Sequence, residues 1–121
     1  MKKNQPILMA LGLGAALLCF AQTGELVKPT PAKDARSVIG TNAVVVGRVA
    51  EVHKNDKIIR LNFEEKYPKQ VFTAVVFAKN FNIFTNLEAL SNQTVEVSGK
   101  VTEFKGRPEM ILNSKGQLRV P

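Results

Sequence analysis

Among its 121 residues the chain has one cysteine, one histidine, one tyrosine and no tryptophan. That scarcity excludes much chemistry. Cys19 sits in an apolar N-terminal run, so the rest of the chain carries no disulfide staple, thiol nucleophile or thiolate metal ligand. His53 has no second histidine, no cysteine and no acidic cluster beside it, and reads as a solvated or loop-supporting residue rather than a metal ligand. No glycine-rich phosphate loop occurs, so no nucleotide cofactor is expected, and none of another kind is signalled. Internal repeats and low-complexity tracts are also missing.

What is present begins with a leader pattern. Lys2 and Lys3 precede the uncharged run Ile7 to Phe20 (ILMALGLGAALLCF). A bilayer span needs about 20 apolar residues, so this run has the length of a signal-peptide core instead. Cys19 and Ala21 put small residues three and one positions ahead of a cut. Residues 1–21 are therefore expected to be a signal peptide cleaved after Ala21, leaving a periplasmic or secreted bacterial protein with no stable membrane span. An uncleaved anchor is the competing reading of the same residues. Lipidation of Cys19 is disfavoured, because Leu17 and Leu18 stand where a small residue normally precedes a lipidated cysteine.

Removing the two leader lysines leaves fifteen basic against ten acidic residues, a net charge of about +5 with His53 neutral. Such a surface suits nucleic acid, anionic lipid or acidic glycan, and charge alone does not choose.

Residues 22–36 carry two prolines in QTGELVKPTPAK and read as a flexible tether, with a short helical turn over Asp34 to Ile39 that Asp34 could cap. The domain is expected over 37–121. Ala43 to Lys54 is a long β-branched run interrupted by Gly47, a candidate bend. Asn55-Asp56-Lys57 reads as a hairpin turn, and Lys57 to Phe63 as a second strand with Ile59, Leu61 and Phe63 on one face. Glu64 to Gln70 is a charged loop containing Pro68. Val71 to Ala78 is a third strand, apolar on both faces, so periodicity does not say which side is core.

Phe81, Phe84, Leu87 and Leu90 fall three residues apart and suggest one short helix. Thr94 to Phe104 alternates cleanly around Gly99. Lys105 to Pro108 is a tight turn, Glu109 to Asn113 a fifth strand, and Leu118 with Val120 is placed to close the barrel edge. Five strands, two of them long and interrupted by glycine, with one short helix between the third and fourth, indicate an all-β, five-stranded OB-fold barrel. An SH3-like barrel accommodates that helix less well.

The segments VVVGRVAEV, LNF followed by a YP-containing loop and FTAVVF, and VEVSGKVTEFKGRPEMIL carry a resemblance. The chain resembles small secreted bacterial OB-fold domains of the group related to the anticodon-binding OB fold, over about Ser37 to Val120. The resemblance implies the fold and a nucleic-acid-binding role. It leaves the ligand open, since OB folds take oligonucleotides, oligosaccharides or proteins. Asn113 to Gln117 departs from the Pro-containing turn usual there and leaves the register of the last strand open.

No enzyme signature emerges. Glu64 and Glu65 are adjacent, and loop neighbours diverge rather than face one reacting bond. Arg48, Arg60 and Arg107 lack an acidic motif that would complete a nuclease-type metal site, so the module is expected to be non-catalytic. Ligands of OB folds cross the second and third strands between the loops joining strands one and two and strands four and five. That places Lys54, with His53 and Lys57, at one rim and Lys105 and Arg107 at the other. Arg60 and Asn62 lie on the outer face of the second strand, Lys66, Tyr67 and Lys69 on the loop after it, and Phe72 on the ambiguous third strand. Cations that track phosphates and rings that stack bases are what single-stranded DNA or RNA requires. A partner nuclease or envelope protein is the accompanying expectation. Protein or glycan binding in the envelope, and a minimal secreted nuclease, stay open as alternatives.

Overall fold

A computed structural model describes residues 28–121. The expected signal peptide, its cleavage after Ala21, Cys19 and the first part of the expected tether lie outside the described residues.

Among the described residues seven strands form: β1 (Thr30–Pro31), β2 (Asn42–Lys54), β3 (Ile58–Phe63), β4 (Phe72–Phe77), β5 (Thr94–Phe104), β6 (Arg107–Ile111) and β7 (Leu118–Arg119). Five of them close a ring in the order β2-β3-β4-β6-β5, with β5 returning to β2. Within the ring β4 and β6 run parallel, and every other pair is antiparallel. This is the OB-fold barrel.

Ring closure depends on the division of β2. Its first half, Asn42 to Arg48, pairs with β5, and from Val49 onward it pairs with β3. The register slips between Val49 and Glu51, so the extra residue at the changeover is Ala50. The bend expected at Gly47 is thus a bulge three residues later. Gly47 meets a different need: a Cβ there would lie 2.8 Å from the Ala32 Cβ and 3.1 Å from the Phe63 ring. Gly99, by contrast, has φ +151°, a conformation L side chains rarely adopt.

The strand pattern fills the barrel as period two requires. Ile59, Leu61 and Phe63 point inward from β3, Phe72, Ala74 and Val76 from β4, and Val95, Val97 and Val101 from β5, all buried. Phe63 and Phe72 meet edge to face with centroids 5.2 Å apart. Each such side chain stabilises the fold by about 1.5–3 kcal/mol through burial.

Three boundaries differ from the sequence reading. The domain starts before residue 37: β1 pairs with Val45 and Val46, and the 3-10 turn Ala32–Val38 buries Ala32 and Ala35 completely. Its N-cap is Pro31, not Asp34, and no side chain caps it. The single helix expected between the third and fourth core strands is two 3-10 turns, Ala78–Asn80 and Leu87–Leu90. Asn86, with φ 60°, interrupts helical geometry between them, and residues three apart align on a 3-10 turn. Phe84 and Leu87 are the buried apolar residues of this segment.

Lastly, β7 does not close the barrel; it lies outside β5, and Val120 is 54% exposed. The Gln117 amide fixes this edge. Its Oε1 accepts from the Asn113 and Ser114 N–H groups at 2.8 and 3.0 Å, and its Nε2 donates to the Ser98 carbonyl at 2.9 Å.

Candidate nucleic-acid interface

Residues paired across the sheet share a face, so register defines the outer surface. Glu51, Asn62, Thr73, Glu109 and Thr102 are successive partners and form one row across all five strands. His53, Arg60, Val75 and Ile111 form the next row, with the Ile58–Phe77 pair beyond it. Phe104 and Arg107 pair at the opposite end.

The apolar members of this face are unusual for an outer surface. Phe77, Ile111 and Phe104 are 40%, 39% and 47% exposed, while Val75 between them is buried as their floor. Arg60, half-buried, is the partner of Val75 on the side away from Ile111. A cation flanked by an exposed ring and exposed aliphatic carbon supplies both a phosphate contact and a stacking surface.

Basic residues stand at both ends. At the β2–β3 hairpin, the Asn55 Oδ1 accepts from the Lys57 and Ile58 N–H groups at 2.8 and 3.0 Å, which fixes the turn. Lys54 lies there, its Nζ 3.5 Å from Glu88 and 5.7 Å from the centre of the Phe81 ring. Both side chains of that ion pair are about half exposed, so the contact orients Lys54 more than it neutralises it. The β5–β6 turn forms the other end. Lys105 and Gly106 take positive φ values of 52° and 78°, and the Lys105 Nζ rests 5.4 Å from the Phe104 ring centre. Arg107 donates weakly to the Gln70 carbonyl at 3.4 Å, and Arg36 donates to the Gly106 carbonyl at 2.9 Å. Three cations therefore surround one turn.

The structure divides the residues proposed from sequence. Arg60, Lys105 and Arg107 belong to the outer sheet face and its β5–β6 rim, whereas Lys54, the partner of inward-facing Ile59, turns at the hairpin end toward Glu88 and Phe81. Phe72 does not: it is 1% exposed and packs on Phe63 inside the barrel, because β4 turns Thr73, Val75 and Phe77 outward. Asn62 faces outward but is 1% exposed, with its Oδ1 accepting from the Thr73 hydroxyl at 3.0 Å and its Nδ2 donating to Glu51 at 2.8 Å. Its polar atoms are taken up by Glu51 and Thr73, so the structure does not present them on the surface. Lys66, Tyr67 and Lys69 gather instead in a separate groove with Arg48.

Two carboxylates on the outer face are tuned oppositely. Hydrogen bonds from the Tyr67 backbone N–H and then the Asn62 amide hold Glu51 below the ordinary carboxylate range. Burial pushes Glu109 up, with Arg60 partly offsetting the effect. Glu109 is thus the weak point of the face for a polyanion, and Arg60 its counterweight.

Sequence reasoning missed Phe77, Ile111, Phe104 and Arg36. The alternation of TAVVF offered no polar side to mark Phe77 as outward, but the clean alternation of EMI did mark Ile111 opposite Met110. Arg36 fell in the expected tether. Among the described residues, no group of three or more His, Cys, Asp or Glu side chains is placed to hold a metal ion, and no helix is long and apolar enough to cross a membrane.

No protein-family model matches the chain, and no curated protein matches it. Solved structures do. An aspartyl-tRNA synthetase from Entamoeba histolytica superposes with a TM-score of 0.50 at 13% identity, over 93% of this chain and 28% of that one. A chain described as an aspartyl-tRNA synthetase from Leishmania major Friedlin gives 0.49 at 11% identity, over 83% of this chain and 25% of that one. The chain thus spans about a quarter of the length of these neighbours. At such identities the likeness concerns the fold, and it agrees with the ring of strands: the domain is an OB-fold barrel.

Proposed function

We propose that this domain is an exported, non-catalytic module that binds single-stranded nucleic acid across the outer face of β3, β4 and β6. The observation that carries the reading is Arg60 in one row with exposed Ile111 across Val75 and diagonal to exposed Phe77, with basic residues on the hairpin turns at either end of the sheet. Bases stack on the apolar surface while phosphates follow Lys54, Arg60, Lys105 and Arg107. The tRNA-synthetase neighbours support the choice of ligand class, since the matched part of an enzyme that acts on tRNA has this fold. The leader pattern of Lys2, Lys3 and Ile7 to Phe20 supports export, where a nuclease or envelope protein is the companion we expect. Intact mass of the protein from its native envelope or medium should begin at Gln22; a full-length cytoplasmic chain would remove the export half of the reading.

Titration with labelled single-stranded DNA at several salt concentrations tests the binding half. Three to four phosphate contacts at roughly −0.7 each predict a slope of log affinity on log salt of about −2 to −3. Lys105→Ala combined with Arg107→Ala should flatten that slope by about 1 to 1.5, with little change in stability. No binding at low salt, or an unchanged slope in the double variant, would transfer the face to a protein or glycan of the envelope.

A further inference from the structure

A groove of about 420 Å³ lies off the outer sheet face, between the β3–β4 loop and the segment leading into β5. Arg48, Lys66 and Lys69 contribute three cations to its lining, and Tyr67, 71% exposed, contributes a bare aromatic ring. The bulged residue of β2, Ala50, also lines it, so the register slip that divides the barrel also puts a small side chain there.

Arg48 is held in place before any ligand arrives. Its Nη2 donates to the Glu64 carbonyl at 2.8 Å and its Nη1 to the Asn92 Oδ1 at 3.3 Å. The acceptors come from two different loops, and both acceptor residues sit in left-handed backbone, φ 71° at Glu64 and 69° at Asn92. The loops are themselves tied to β2: Glu64 N–H donates to the Arg48 carbonyl at 2.8 Å, and Asn92 N–H to that of Val49 at 2.7 Å. Neither acceptor of the guanidinium is a carboxylate, and the Glu64 carboxylate takes the Arg48 backbone N–H instead, at 3.3 Å, so the guanidinium is oriented without a direct ion pair. The main chain that carries the ring is fixed as well, because the Tyr67 N–H donates to Glu51 at 2.8 Å.

A fixed cation, two exposed ones and an exposed ring specify an anion joined to a flat aromatic group. Glu64 and Glu65 on the same lining repel a long polyanion and accept from hydroxyl or amino hydrogens. We propose that this groove binds one mononucleotide, or the phosphorylated end of a strand. Its phosphate lies on Arg48 with Lys66 and Lys69, its base stacks on Tyr67, and its ribose or amino groups meet the glutamates. The site stands on its own residues and does not depend on the reading of the sheet face.

Tyr67 is the sole tyrosine of the chain, so isotope-labelled tyrosine gives one set of ring signals that reports this groove alone. Adenosine 5′-monophosphate should shift those signals saturably, as a stacked base does. Adenosine lacking the phosphate should need at least about tenfold more ligand, and inorganic phosphate should compete without imitating the ring shift. Arg48→Gln should weaken the nucleotide about tenfold. If that variant folds poorly, Lys66→Ala with Lys69→Ala on the exposed loop should weaken it instead. Arg60→Ala and Phe77→Ala should leave this titration unchanged, which separates the groove from the sheet face. No ring shift with the nucleotide, or equal binding of adenosine and its monophosphate, would overturn the proposal.

Discussion

The carboxylate of Glu51 grips the backbone of Tyr67. One oxygen, Oε2, accepts both the Tyr67 N–H and the Asn62 side-chain amide at 2.8 Å, and Asn62 in turn accepts from the Thr73 hydroxyl. A polar chain thus runs from buried β4 to an exposed loop, and it joins the sheet face to the groove because the bulge at Ala50 returns Glu51 to the outer side.

Removing the acceptor should cost more than a surface substitution. In Glu51→Ala the buried Asn62 Nδ2 loses its partner, and an unsatisfied buried donor costs about 1–3 kcal/mol. Glu51→Gln keeps an acceptor and should lose less. Because hydrogen bonds depress the folded pKa, the contribution is complete above the ordinary carboxylate range and disappears as pH falls through the lowered value. Denaturation midpoints measured from neutral pH into that acid range check both the cost and the direction.

Glu109 should behave in the opposite way. Its raised pKa means that, between the ordinary range and the raised value, the folded chain holds a proton the unfolded chain has released. Stability from this group therefore falls as pH rises through that window and is greatest below it. Glu109→Gln should flatten this dependence. It should also tighten single-stranded DNA about two- to fivefold at neutral pH, by removing one half-buried like charge worth up to about 1 kcal/mol. A weakened complex would show that Glu109 contacts the ligand as an acceptor.

The two strand glycines should fail for different reasons. Gly47→Val meets Ala32, Phe63 and Glu64 at once, and overpacking of this kind costs about 1–3 kcal/mol. Gly99→Val combines φ +151° with a contact 2.7 Å from the Gln117 Nε2, so it should also loosen the β7 edge. Thermal unfolding checks the cost. Faster amide exchange at Leu118 in the Gly99 variant but not in the Gly47 variant checks the difference.

The fold was legible because its core strands alternate: Ile59-Leu61-Phe63 and Val95-Val97 are inward in the structure as they are in the pattern. Segments whose register is set by distant partners were not legible. Ala32 and Ala35 look like tether residues until Gly47 leaves room above them, and nothing local in VAEV marks Ala50 as the bulge. The candidate site was half readable. Charges at turns, such as Lys54, Lys105 and Arg107, announce themselves as exposed. Rings do not: Phe72 and Phe77 lie five residues apart in one apolar strand, and opposite parity sends one into the core and the other to the surface.

Photo-crosslinking the protein to single-stranded DNA carrying halogenated pyrimidines, followed by peptide mapping, tests the location of binding most directly. The account predicts adducts on the β4 peptide at Phe77 and on the β5 peptide at Phe104, both lost when salt is raised. Adducts confined to residues away from the outer face of β3 to β6, or none under conditions where binding is measured, would contradict it.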